Sequence, residues 1–300
     1  MKRKGLNDIE LLLSELDKQQ LCDFIRGECA NDRHFQQRFL SLGTGFLTSP
    51  KFSDYHARIM DMIEEFGDRH GYVEYSKTFR LNRAICQIID EADVAIQNYQ
   101  WDLAQVILDS IATSGEEILY CGDDSAGELG DILHYCFQKW HELSSDELLP
   151  EGKKSELFEL SLTHFAEGCL KEFDWWWDWI QMAIQLADDE EKQGRIIQEL
   201  DKVINIKGDE WGINYNRQVA QRYKLEIMSK RGTPEEQFKF MCENVSNPDF
   251  RRRLLQMAWD RGDYKEVLRL AVDGATHDSN YAGLVNDWHK WELKVYLQTH

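Results

Sequence analysis

Proline is scarce in this chain of 300 residues, and long apolar runs are missing. The four prolines, at positions 50, 150, 234 and 248, leave long stretches in which helices can form without a break. No run of about 18 apolar residues occurs, so no transmembrane helix is expected. Residues 1–10 are basic and then acidic rather than apolar, and we therefore expect no signal peptide.

Disulfide frameworks and the common catalytic motifs are also missing. The seven cysteines are odd in number and scattered, with no Cys-x-x-Cys, which predicts reduced thiols in a cytoplasmic protein. There is no Gly-x-Ser-x-Gly, no His-Glu-x-x-His and no dinucleotide-binding glycine fingerprint. We expect a protein that is not an enzyme and that needs no cofactor or metal.

The loop Asp123-Asp124-Ser125-Ala126-Gly127-Glu128 is the most site-like stretch. Its four oxygen-bearing side chains could hold a hard cation, but the twelve-residue ligand spacing of an EF-hand is missing. Ser125 and Glu128 have the spacing of a capping box, and carboxylates are favoured at a helix N-terminus. The loop is therefore predicted to start a helix rather than to bind metal.

Basic residues are outnumbered, since 35 Lys and Arg face 54 Asp and Glu, for a net charge of −19. Such a chain as a whole is repelled by nucleic acid and by anionic membranes. Segment 217–269 is the exception, with twelve Lys and Arg against eight Asp and Glu. It could meet an acidic partner or nucleic acid, or pair with its neighbours, and we favour pairing because helix charge usually lies on a solvated face.

Apolar residues recur at helical spacing along almost the whole chain, and no segment shows the strict alternation of a β-strand. Residues 1–70 are predicted to form a module of short helices with a hinge at Gly43-Thr44-Gly45, and residues 71–300 a series of longer helix pairs. The predicted apolar stretches cover residues 6–17, 21–25, 35–42, 55–66, 81–95, 103–111, 129–140, 157–170, 176–187, 196–204, 215–227, 238–245, 250–258, 264–271 and 284–295.

A degenerate internal repeat indicates how these helices are arranged. The dipeptides Met182-Ala183, Val219-Ala220 and Met257-Ala258 are spaced 37 and 38 residues apart, and each is followed by a charged break and a second apolar helix. A period in the high thirties with two helices per unit is typical of tetratricopeptide and HEAT repeats. The predicted fold is all-α: an α-α superhelix, or solenoid of antiparallel helix pairs, closed by a C-terminal capping helix.

The segment Phe173–Ile180 contains four tryptophans, at positions 175, 176, 177 and 179. Neighbouring residues on a helix differ in direction by about 100°, so these side chains cannot share one face. Either the helix is packed on more than one side, which we favour, or it presents tryptophan to a partner. Under the second interpretation the candidate anchors are Trp175, Trp177 and Trp179.

Two motifs carry a family resemblance: Gly71-Tyr72-Val73-Glu74-Tyr75, and the stretch 123–131 that begins Asp123-Asp124-Ser125. Together with the short N-terminal helices and the tetratricopeptide-like tail, they resemble the helical region downstream of the SWIM zinc finger in bacterial SWIM-domain proteins. The finger itself needs Cys-x-Cys followed by Cys-x-His, and neither is present. The resemblance therefore implies a helical scaffold, and it implies no metal or DNA site.

These observations favour a non-catalytic scaffold that binds a protein or peptide partner on its helical-repeat surface. The alternative is a nucleic-acid-associated regulatory factor that uses the basic segment 217–269. The candidate partner-binding residues are Trp175, Trp177, Trp179, Arg251 and Arg252, and the nucleic-acid alternative draws on Arg217, Arg222, Lys224, Arg251, Arg252 and Arg253. No membrane partner is expected.

Overall fold

The computed structural model describes residues 16–31, 51–208 and 210–300, and within these ranges the regular secondary structure is entirely helical. This confirms the predicted all-α class. The predicted apolar stretch 35–42, the hinge at Gly43-Thr44-Gly45 and residues 6–15 of the first predicted helix lie outside the described residues. The helices are α1 (Lys18–Asn31), α2 (Phe52–Phe66), α3 (Tyr75–Gln97), α4 (Trp101–Thr113), α5 (Gly115–Tyr120), α6 (Glu128–Ser144), α7 (Glu151–Glu167), α8 (Trp176–Leu186), α9 (Glu190–Ile204), α10 (Trp211–Arg231), α11 (Pro234–Glu243), α12 (Pro248–Asp260), α13 (Tyr264–His277) and α14 (Ala282–Thr299).

Local capping explains where several of these helices begin. Thr233 and Glu236 form a capping box at α11, and Pro234 occupies the first turn, where its missing N–H costs nothing. Asn247, Asp189 and Asp263 each accept a backbone N–H at the start of their helices. The breaks between the predicted apolar stretches 215–227 and 238–245, and between 250–258 and 264–271, each contain a turn between two helices.

The chain divides into two compact units, the first ending at Ala187 and the second beginning at Asp188. The first unit holds 17 Lys and Arg against 34 Asp and Glu, and the second 18 against 20. The predicted boundary near residue 70 stays a prediction, because much of residues 1–70 lies outside the part of the chain that the structure describes; within that part, α2 packs against both α3 and α4. The acidity of the protein is thus concentrated in the first unit.

In the first unit, the apolar faces of α3, α4 and α6 pack against one another, and α8 packs against α7 and α6. Part-buried polar contacts also join helices of this unit. Lys139 on α6 lies 2.7 Å from Asp93 on α3, and His164 on α7 lies 2.7 Å from Asp109 on α4. These contacts cross between helices that are distant in sequence, so they fix the register of the bundle.

In the second unit, each helix packs against the next one in the chain, from α9 to α14. Its C-terminal half has a continuous core built around Phe250, Leu255, Val267 and Trp288. Ala258 is fully buried in this core, where a small side chain permits close helix approach.

A single backbone bridge joins the two motifs that carry the family resemblance. Val73 pairs with Gly122 in a parallel bridge, in which the Val73 N–H donates to the carbonyl of Cys121 at 2.7 Å. A Cβ on Gly122 would lie 2.4 Å from the Val73 carbonyl oxygen, a contact that only a backbone shift could relieve. Glycine at position 122 is therefore required for this close approach.

Replacing Gly122 with alanine is expected to lower the free energy of unfolding by about 1–3 kcal/mol, since the clash is with backbone. Urea denaturation followed by circular dichroism measures the change. The matched control is Gly194→Ala, because a Cβ at this position in α9 meets nothing within 4 Å. We expect the control to raise stability by up to about 1 kcal/mol, and a Gly122→Ala protein as stable as this control would contradict the account.

Among the described residues, no helix combines the length and apolarity needed to cross a bilayer.

Candidate partner-binding surfaces

The tryptophan segment lies mainly in the core of the first unit. Trp179 is 0 % exposed, and its ring lies 5.0 Å from that of Phe137, 5.8 Å from that of Trp140 and 4.5 Å from that of His164, measured between centroids. Trp176 stacks on Phe165 and donates its indole N–H to the carbonyl of that residue at 2.9 Å. Two helices, α6 and α7, thus cover α8, as expected for a helix packed on more than one side.

Two of the three candidate anchors therefore face the interior. Trp177 is buried beside Phe165, and Trp179 is enclosed as described above, so neither presents its ring to a partner in this structure. Trp175 precedes the first turn of α8 and is half-buried. Of the three, only Trp175 can contribute to a surface in the folded chain.

Trp175 belongs to a chain of aromatic rings that reaches solvent. Its ring centroid lies 6.2 Å from that of Phe173, which in turn lies 5.6 Å from that of Tyr120. Tyr120, at the end of α5, is 68 % exposed. These rings follow one another from a partly covered position to an open one.

The Val73–Gly122 bridge brings the backbone of a second aromatic segment next to the residues that follow Tyr120. Tyr72 and Tyr75 flank the bridged Val73, and Phe79 follows one turn later on α3, all three about half exposed. Three residues further along α3, Asn82 donates to the carbonyl of Glu128 at the start of α6 at 2.7 Å. We call the following six aromatic residues the junction surface: Tyr72, Tyr75, Phe79, Tyr120, Phe173 and Trp175.

The loop beside the junction surface acts as a helix cap. The Asp124 carboxylate accepts the N–H groups of Leu129 at 2.7 Å and of Gly130 at 3.1 Å. The predicted start of a helix is confirmed, but Asp124 serves as the cap rather than the pair Ser125 and Glu128. Within the described ranges, no group of three or more His, Cys, Asp or Glu side chains is arranged to hold a metal ion.

Arg251, one of the two candidate arginines, is only 3 % exposed. Its guanidinium donates to the carbonyl of Leu270 at 2.9 Å and lies over the Trp288 ring, with 5.7 Å between its Cζ and the ring centroid. Burial lowers the pKa of this guanidinium from its ordinary value. Arg251 therefore packs inside the second unit and does not reach a partner.

Three further arginines of the basic segment, Arg222, Arg252 and Arg269, pair with nearby carboxylates. Arg252 contacts Asp249 at 3.0 Å and Asp287 at 3.1 Å, and Arg222 contacts the same Asp249 at 3.2 Å. Arg269 pairs with Glu266 at 2.6 Å, and this contact lowers the pKa of the Glu266 carboxyl. The favoured interpretation of the segment, in which its charges pair with their neighbours, matches these contacts.

A groove of about 820 Å³ opens between α10 and α12 in the second unit. Its walls carry the guanidinium groups of Arg222, Arg252 and Arg253 and the carboxylates of Glu226 and Asp249, and Val219, Tyr223 and Leu225 also line it. We call this feature the arginine groove. Arg252 is thus the candidate arginine that remains accessible.

Most of the junction surface was not predicted from the sequence, and neither was an exposed aromatic pair in the second unit. Trp211, at the start of α10, is 70 % exposed and stacks on Tyr215 with ring centroids 5.5 Å apart. When one aromatic residue stands in an amphipathic pattern, its residue type alone does not predict whether its side chain is exposed. A helical-wheel comparison of Trp211 with Val219 and Tyr223 could have placed Trp211 off the buried face.

Burial also controls the chemistry of the cysteine thiols in the first unit. It raises the pKa of Cys86 and of Cys121 to about 11 and that of Cys169 to about 12. Each of these thiols is therefore protonated near neutral pH, whereas the reactive form of cysteine is the thiolate.

These raised pKa values predict a loss of stability in alkaline solution. An unfolded thiol loses its proton near about pH 8.5, while the folded thiols keep theirs to about pH 11 or 12. Between these values the unfolded state binds fewer protons, so stability falls as pH rises. Urea titrations at several pH values in this range measure the slope. The slope should become shallower when Cys86, Cys121 and Cys169 are all replaced by alanine, and an unchanged slope would contradict this explanation.

Comparison of the chain with family models, with curated proteins and with solved structures found no match. The resemblance to the helical region of SWIM-domain proteins therefore stays a prediction.

Proposed function

We propose that this chain is a non-catalytic helical scaffold of the tetratricopeptide or HEAT kind, which binds a protein or peptide partner. The junction surface supports the proposal best. It places Tyr72, Tyr75, Phe79 and Tyr120, each about half exposed or more, around the bridge between residues 73 and 122. Large exposed aromatic patches mark contact sites, and aromatic residues dominate the binding energy of protein interfaces.

The rigid backbone that carries these rings favours binding of one specific partner over nonspecific apolar contact. The backbone beneath them is held by the Val73–Cys121 hydrogen bond and by the Asp124 cap, so the aromatic side chains project from a fixed frame. A rigid surface has fewer side chains and backbone segments to order on binding. The conformational entropy that is lost on association is therefore smaller. Trp175 contributes the partly buried inner edge of the same surface.

Quantitative capture from a lysate of the native cells tests the proposal. The wild-type chain should enrich a defined set of proteins, and the double variant Phe79→Ser/Tyr120→Ser should lose that set. Val94→Ala is the matched control, because Val94 lies on the same helix as Phe79 and is 54 % exposed against 55 %. Capture that is the same for all three proteins would count against the junction surface as the binding site.

The alternative, a nucleic-acid-associated factor, depends on segment 217–269. Its support is weaker, because Arg251 is buried and Arg222, Arg252 and Arg269 already contact carboxylates. Binding of nucleic acid through released counterions would fall steeply with salt. A titration with duplex and single-stranded oligonucleotides at low salt tests it, and a flat response would remove it.

A further inference from the structure

The arginine groove is distinct from the junction surface, and its chemistry is different. Three guanidinium groups, from Arg222, Arg252 and Arg253, line it together with two carboxylates. The groove is therefore a locally basic site in a unit that is close to neutral, with 18 Lys and Arg against 20 Asp and Glu. Arginine side chains in such a site select an acidic ligand by local charge complementarity.

Two of the three arginines are held in place before any ligand arrives. Asp249 lies between them and contacts Arg252 at 3.0 Å and Arg222 at 3.2 Å. Asp287 holds the other side of Arg252 at 3.1 Å and is itself held by Lys290 at 3.0 Å. A guanidinium group has five donors, so each arginine keeps N–H groups for a further acceptor. Their fixed positions reduce the entropy lost when a ligand binds.

The third arginine makes no ion pair with any residue that the structure describes. Arg253 is exposed, lines the groove and lies one residue after Arg252 on α12. Its position offers a free fork of donors for a ligand carboxylate, the geometry in which arginine binds most strongly. Tyr223, which is half-buried, lines the same groove together with the buried Val219 and supplies apolar surface for a side chain without charge.

From these contacts we infer that the arginine groove binds an extended acidic segment of a partner protein, in which carboxylates alternate with apolar residues. The acidic side chains contact Arg253 and the open edges of Arg222 and Arg252, and an apolar side chain rests near Val219 and Tyr223. Glu226 and Asp249 in the walls disfavour a nucleic acid, whose phosphates form a continuous row. The spaced charges of a peptide can avoid the two wall carboxylates.

Fluorescence anisotropy with a designed probe tests this inference. The probe is a short fluorescein-labelled peptide in which pairs of glutamates alternate with leucine, and its partner probe carries glutamine in place of every glutamate. At low salt the acidic probe should bind the full chain saturably, the glutamine probe should not, and added salt should weaken the complex. A labelled single-stranded oligonucleotide should bind more weakly than the acidic peptide.

Variants locate the binding in the groove. Arg253→Gln should weaken the acidic probe about tenfold, the effect of losing one charge-assisted hydrogen bond, and Arg253→Glu should weaken it further. Lys239→Gln is the control, because it removes one positive charge from α11 in the same unit and its side chain is 78 % exposed. Both positions are exposed, so circular dichroism should show unchanged folding for all variants.

Three results would overturn the inference: no saturable binding of the acidic probe, an equal loss for Lys239→Gln and Arg253→Gln, or tighter binding of the oligonucleotide. The proposed function is judged separately, because its variants lie at Phe79 and Tyr120 in the other unit. If the acidic probe does not bind in the groove but partner capture still depends on Phe79 and Tyr120, this inference is wrong and the proposed function stands.

Discussion

Replacing Trp179 with alanine is expected to lower the free energy of unfolding of the first unit by about 3–5 kcal/mol. The side chain is fully buried and contacts rings from two other helices, Phe137 and Trp140 on α6 and His164 on α7. Removing the indole leaves a cavity that these large, fixed neighbours cannot fill. His164 also contacts Asp109 at 2.7 Å, so the loss of its aromatic neighbour would loosen the link between α7 and α4.

The comparison that gives this prediction its meaning is Trp175→Ala. Trp175 is half-buried and lies just before the first turn of α8. Replacing it should lower the free energy of unfolding by less than about 1.5 kcal/mol, because part of its ring already contacts water. Urea denaturation followed by far-ultraviolet circular dichroism gives both values. If Trp175→Ala were as destabilising as Trp179→Ala, the assignment of one ring to the core and the other to the surface would be wrong.

Trp288→Ala is expected to have an effect of similar size in the second unit, about 3–5 kcal/mol. This ring is fully buried, and its Nε1 donates to the Asp278 carboxylate at 2.7 Å. Arg251 and Arg252 lie over the same ring, at 5.7 and 5.5 Å from its centroid. The substitution therefore removes packing, a charge-assisted hydrogen bond and two cation–π contacts together.

The variant Trp288→Phe separates these contributions. It keeps an aromatic ring under the arginines but removes the N–H group, which leaves the buried Asp278 carboxylate without its indole donor. We expect a loss of about 1–3 kcal/mol for this change alone. Chemical denaturation of both variants, monitored by circular dichroism, measures the two values. A phenylalanine variant as unstable as the alanine variant would show that packing of the ring contributes little.

The helices of this protein were predictable because the signals for them are local. Thr233, Pro234 and Glu236 define the start of α11 through contacts within one turn, and Asp189 and Asp263 do the same for their helices. The division into units was not predictable in the same way. It depends on contacts between helices that are far apart in the sequence, such as those that join α2 to α4 and α3 to α6 within the first unit.

The exposure of the candidate binding residues also depends on contacts between distant parts of the chain, so it could not be predicted from the sequence. Three consecutive arginines look alike in the sequence, yet residue 251 is buried, residue 252 is paired and residue 253 is free of ion pairs within the described chain. The difference arises from α13 and α14, which cover one side of α12. Tyr120 and Phe79 were overlooked for the same reason, since only the bridge between Val73 and Gly122 brings their two chain segments together.

Site-specific photo-crosslinking tests the central claim, that a partner binds at the junction surface, most directly. A photoreactive phenylalanine analogue is placed singly at Phe79, at Tyr120 and at Val94, which has the same exposure as Phe79 on the same helix. Irradiation in the native cells should join a discrete polypeptide to the chain from positions 79 and 120 and none from position 94. Crosslinks of equal yield from all three positions, or from position 94 alone, would contradict the proposal.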